Sequence, residues 1–143
     1  MCRELDKKGI DTVYMTASPD DPALENDFPH IHAQFIEEGN KAFAKLNFLN
    51  ASVVLATTPG LDVYQWKRSK QVYSVHLPHA ASDISGYRMF GIDYYDAILL
   101  SGQYQVEQVR ALEKLRALPA KEIVKVGIPY MDDMLARLHA APP

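Results

Sequence analysis

A single cysteine, Cys2, in 143 residues leaves no material for an internal disulfide or a multi-cysteine zinc site. No run approaches the roughly 20 apolar residues that a membrane span requires. The amino terminus is charged from Arg3 onward and lacks the apolar stretch of a secretory signal. Positive charge is not in excess: fifteen Lys and Arg face eighteen Asp and Glu, for a net charge of -3. That excludes a nucleic-acid binder held by bulk charge, which needs a concentrated cationic face. The one basic run, "KRSK" at residues 67–70, is short and reads as a solvated loop. Glycines number only seven, and none falls into a GxGxxG or GxxxxGK[ST] pattern, so neither dinucleotide nor Walker-type binding is supported. These absences leave a soluble cytoplasmic domain as the expectation.

What is present alternates. At 48% hydrophobic and 23% charged, residues 1–143 suit one globular domain with a sizeable core. Five short β-branched or aromatic runs occupy residues 12–16, 52–57, 72–77, 97–100 and 123–127. Four of them are apolar on both faces, as strands buried in a parallel sheet should be; the last carries Lys125. Between them, Ile31, Phe35, Ala42, Leu46 and Leu49 predict a helix over residues 31–49. Val106, Val109, Leu112 and Leu115 predict a second, with Glu113, Lys114 and Arg116 off its stripe and Pro119 as its stop. A last helix, from Met131 to about His139, begins with Asp132 and Asp133 where the helix dipole favours acid. This order predicts an α/β fold: a Rossmann-like, three-layer α/β/α domain with a parallel sheet of about five strands. The chain opens on "CRELDKKG", the closing turns of a helix with Gly9 at its cap, and no strand precedes it. The expectation is a piece of a larger polypeptide.

Ligands of open parallel sheets collect at the carboxyl ends of the strands. Four such ends carry polar chemistry here. They are Thr57, Thr58 and Gly60 in "TTPG"; His79, Ser82 and Asp83 in "PHAASD"; Ser101 and Gly102 in "SG"; and Asp132 in "IPYMDD". Each has a plainer reading. "TTPG" suits any turn, and a serine before a helix accepts free N–H groups as a cap. His76, inside an apolar run, is the packing residue of the histidine pair. His79 follows Pro78 into the loop, where an imidazole can take a proton from an attacking hydroxyl. Asp83 can orient it or serve instead, and His76 remains the rival base. The two histidines lack further ligands, so no metal is expected. His30 and His32 flank the predicted helix start as surface or cap residues.

"TTPGLDVYQWKRSKQVYSVHLPHAASD" followed by "FGIDYYDAILLSGQYQVEQVRALEKLRALPAKEIVKVGIPYMDDML" resembles the amino-terminal half of the CDP-glycerol glycerophosphotransferase family. These are teichoic-acid-type polymerases and primases with the two-domain GT-B fold. The resemblance spans residues 52–135 and rests on the order of five pieces: the Thr-Thr-Pro turn, the histidine loop, "DYYD", "SG" and "VGIPYMDD". It implies an acceptor-side domain whose histidine deprotonates the acceptor hydroxyl; His79 matches that position, with Ala80 where the family usually has glycine. Gly127, Pro129 and Asp132 match the family's closing motif, and Tyr130 stands in its arginine position. CDP-glycerol would sit mainly on a carboxyl-terminal domain beyond residue 143. The acceptor would be a polyol phosphate or a lipid-linked chain at the inner membrane face, with no cofactor. Residues 1–143 alone should therefore release no CMP.

Overall fold

The computed structural model describes residues 1–61, 66–79, 81–87 and 90–140. They form two compact units, Met1–Leu49 and Asn50–Pro143. In the first unit α1 (Cys2–Lys7) ends as its sequence requires. Gly9 adopts the left-handed conformation, its N–H reaches Asp6 O, and that of Ile10 reaches Leu5 O. β1 (Thr12–Thr16) then pairs in parallel with β2 (Ile31–Phe35), Thr12 opposite Ile31. A 3-10 turn (Pro22–Glu25) capped by Asp21 lies between them. α2 (Gly39–Asn47) closes the unit.

The helix expected over residues 31–49 is thus corrected: its first five residues are a strand. Ile31 and Phe35 fit a helical spacing by coincidence, whereas Ile31 is buried and His32 exposed, as alternation in a strand demands. Glu37 and Gly39 both take positive φ angles, 66° and 58°, which no continuous helix tolerates. His30 and His32 accordingly sit at and in a strand. The His30 ring is hydrogen-bonded to Asp11 at 2.9 Å.

The second unit holds β3 (Val53–Ala56), β4 (Tyr73–His76), β5 (Ala97–Leu100), α3 (Gln103–Leu115), β6 (Glu122–Lys125) and α4 (Pro129–Ala140). Its strands run in the order β3-β4-β5-β6, all parallel. Among the described residues the strands therefore form sheets of two and four, in place of the single sheet of about five. The coarser α/β expectation stands, with parallel strands throughout.

Sequential parallel strands joined by right-handed connections place every connection on the same face. That face holds the core: Ile84, Ile92, Ile98, Leu100 and Val109, flanked by Tyr87, Val106, Leu112 and Ile123. The opposite face is open. Val53, Leu55, Tyr73 and Val124 are all exposed on it, and the Tyr73 hydroxyl crosses β5 to donate to Glu122 Oε2 at 2.6 Å. Of the four strands expected to be buried on both sides, only β5 is. α3 also departs from its reading: Leu115 is 82% exposed, while Glu113 is buried with Gln105 and Val109. The helix stops at Leu115, four residues before Pro119, because Ala117 turns left-handed. Among the described residues no helix is long and apolar enough to cross a membrane.

Candidate functional site at the carboxyl rim of the four-stranded sheet

β3 and β4 end side by side, Ala56 opposite His76, so the chains leaving them start as neighbours. His79, three residues past β4, is exposed, and its Nδ1 lies 3.3 Å from Thr57 O. A carbonyl only accepts, so Nδ1 is the donor in this contact, and in the neutral ring the lone pair is on Nε2. A base held in one tautomer by a backbone carbonyl is thereby presented at the sheet's carboxyl rim. Asp83 does not orient it. Its Oδ1 accepts instead from Ser85 N at 2.8 Å and from Ser85 Oγ at 2.5 Å, bonds that hold the carboxyl below its ordinary range.

His76 is sealed away. It has no exposed surface, its Nδ1–H donates to Ala56 O at 2.9 Å, and its ring meets those of Tyr87 and Tyr95 at 5.5 and 5.1 Å. Desolvation pushes its pKa down to about 4, so the ring is neutral, and Nε2 has no partner among the described residues. An imidazole without a path to solvent packs; it does not reach a substrate.

Ser101 and Gly102 lead from β5 into α3, but Gly102 is the N-cap and no side chain caps the helix. The Ser101 hydroxyl, expected to accept from the helix, instead donates to Gln105 Oε1 at 2.7 Å. Ser101 N–H donates to the same oxygen at 2.8 Å. With its proton so committed, Ser101 Oγ accepts from Tyr104 OH at 3.0 Å. The Tyr104 ring folds back over Gly102, where an added Cβ would meet it at 3.1 Å; this close approach is what the glycine permits. The helix's positive end is left uncovered by acid. Lys125, at the end of β6, adds charge there: its Nζ is 3.3 Å from Gln103 Oε1.

The rim therefore joins Thr57 to His79 directly, and Ser82 to Ser101 through Gln105, whose Nε2 donates to Ser82 O at 2.9 Å. Gly60 N–H donates to Thr58 O within its own turn. Asp132 is not brought in; it lies exposed in the first turn of α4. Three residues that matter here escaped the sequence reading. Gln105 had a signal, being a polar residue four before Val109 on a buried stripe. Tyr104 and Lys125 had none beyond their place next to a strand end.

Two of the quoted motifs are explained by packing. In "DYYD", Asp93 pairs with Arg116 at 2.5 Å, and Asp96 accepts from Ser74 N–H and pairs with Arg68. Tyr95 is buried, and burial pushes its hydroxyl up to about 12. That hydroxyl donates to Thr58 O at 3.2 Å, so the Thr-Thr-Pro turn is folded around it. Among the described residues no group of three or more His, Cys, Asp or Glu is placed to hold a metal. No family model matches the chain, and neither does any curated protein or solved structure.

Proposed function

We propose that this chain is the acceptor-side, Rossmann-like half of a GT-B enzyme that transfers glycerol phosphate from CDP-glycerol to an acceptor hydroxyl. One observation carries the reading: His79 stands exposed at the carboxyl rim with Nδ1–H on Thr57 O and Nε2 available as a base. The uncapped positive end of α3, with Lys125 beside it, supports a phosphate-bearing substrate at the same rim. The motif order from "TTPG" to "VGIPYMDD" supports the choice of donor.

In the step proposed, the acceptor oxygen bonds to the β-phosphorus as its proton passes to His79 Nε2. The bond from that phosphorus to the bridging oxygen breaks, and CMP leaves with the electron pair. Such transfers need positioning and charge stabilisation rather than covalent catalysis, and no cofactor enters. The acceptor would be a polyol phosphate or a lipid-linked chain, met at the inner face of the cell membrane.

The test is CMP release from CDP-glycerol by the full-length gene product. His79→Ala should lower kcat by about 100-fold or more, the range for loss of a general base. Activity within a few-fold of wild type overturns the assignment, and turnover with another sugar nucleotide in place of CDP-glycerol moves the protein to a different GT-B transferase or epimerase. A non-catalytic α/β binding module is the second reading. The open apolar sheet face at Val53, Leu55, Tyr73 and Val124 favours it, and the absence of turnover with every donor would select it.

A further inference from the structure

We propose that Gln105 is the positioning residue of the histidine loop, tying it to the end of β5 and so fixing where His79 stands. The role rests on the reading of His79 as the base.

The argument begins with a position that should be apolar. Gln105 lies on the buried side of α3 with Val109 and has no exposed surface. Burying an amide there is unfavourable unless every polar atom is partnered. Each is. Oε1 accepts twice from Ser101, at N (2.8 Å) and Oγ (2.7 Å), and Nε2 donates to Ser82 O (2.9 Å). The amide thus spans the chains leaving two neighbouring strands. One turn along the helix, Gln108 Oε1 accepts from Ile84 N–H at 3.2 Å, a second tie to the same loop.

His79 needs such help. Its own contact to Thr57 O is long at 3.3 Å and lies at the surface, where a single hydrogen bond holds a side chain weakly. Ser82 is three residues away, and its carbonyl is anchored by a fully buried group. The inference is therefore directional: releasing Ser82 frees the loop, and the imidazole loses its one tautomer.

The test uses nitrogen-15 imidazole spectra and amide hydrogen exchange on this chain. In Gln105→Leu, the hydrogen-bonded amides of Ile84 and Ser85 should exchange at least about tenfold faster, and the Nδ1–H signature of His79 should be lost. His76, buried on Ala56 O, should keep its own and so report that the fold persists. Unchanged loop exchange and an unchanged His79 tautomer in the folded variant overturn the proposal.

Should His76 show that Gln105→Leu does not fold, Gln105→Glu decides. Its carboxylate still accepts from Ser101 but cannot donate to Ser82 O. The Ser101 amide should then stay protected while the loop exchanges faster; a protected loop overturns the proposal. In the full-length transferase, kcat per folded enzyme, with the folded fraction read from the His76 signal, should fall about tenfold with the donor KM within about twofold. If His79→Ala leaves turnover intact, the base assignment fails by that result alone, whatever the loop amides show.

Discussion

The two ends of the four-stranded sheet use their polar groups in opposite ways. At the amino end the charged groups are spent on one another or on backbone groups. Glu113 takes Arg110 at 2.6 Å and Lys121 N–H at 2.8 Å, Lys121 Nζ reaches Asp93 O at 2.7 Å, and Arg116 pairs with Asp93 while lying over the Phe90 ring. At the carboxyl end the helix is uncapped, His79 keeps a free Nε2, and Thr57 and Thr58 are exposed. The paired groups at the amino end hold structure, although Arg116 Nε there and His76 Nε2 are buried without a hydrogen-bond partner among the described residues. The contrast distinguishes the packed end of the sheet from the end that carries the proposed site.

The comparison breaks first at Glu113. Removing the acceptor of a buried N–H leaves that group unsatisfied, which costs about 1–3 kcal/mol, while the half-exposed Arg110 can turn to water. Glu113→Ala should therefore lower the unfolding free energy by roughly that amount in urea denaturation, since Lys121 N–H loses its acceptor. Thr58→Ala at the opposite end should change it by less than about 0.5 kcal/mol, as for surface substitutions generally. Equal costs at the two ends would erase the distinction between them.

His76 sharpens the comparison by pH. It belongs to the scaffold although the sequence places it beside the rim. Its folded pKa is about 4 against an ordinary 6.5, because burial opposes the charged ring. The unfolded chain therefore takes up the proton first as pH falls. Stability from this group is complete above about pH 6.5, declines through the interval, and is fully lost below about pH 4. Two and a half pH units correspond to roughly 3 kcal/mol. Urea midpoints measured between pH 7.5 and 4 should show this loss in wild type and should lack it in His76→Leu.

How much of this was legible in the sequence follows from the range of the forces involved. Strand cores at Val53–Ala56, Tyr73–His76 and Ala97–Leu100 were readable because apolar, β-branched or aromatic residues run together there, whichever face is covered. Ile31–Phe35 was not, since its strand depends on pairing with Thr12–Thr16, some nineteen residues away. The open face escaped for the same reason: Val53 and Leu55 are apolar whichever side is covered. At the rim, the sequence could name His79 and Ser101 by their place after strands. It did not tell that Asp83 would turn to Ser85, two residues on, or that the proton of Ser101 would go to Gln105, four residues on, because residue type alone does not fix which local partner a side chain takes.

A small stabilisation is expected at the end of α3, back on the scaffold side. Ala117 sits at φ 52°, a left-handed conformation that a Cβ disfavours, and it is held there by the closing bonds of the helix: Ala117 N–H to Lys114 O at 3.5 Å and Leu118 N–H to Glu113 O at 2.9 Å. Those bonds deliver the chain to Lys121, whose N–H must meet Glu113, so the strain is tolerated to close the charged cluster. Glycine takes this conformation without the Cβ penalty but loses more freedom on folding. Ala117→Gly should therefore raise the unfolding free energy by only about 0.5–1 kcal/mol. It should do so without altering exchange of the rim amides, because the gain arises at the opposite end of the helix. A stabilisation accompanied by slower exchange at Ile84 and Ser85 would mean that the two ends of the sheet are coupled through α3, and that scaffold and site are one cooperative element.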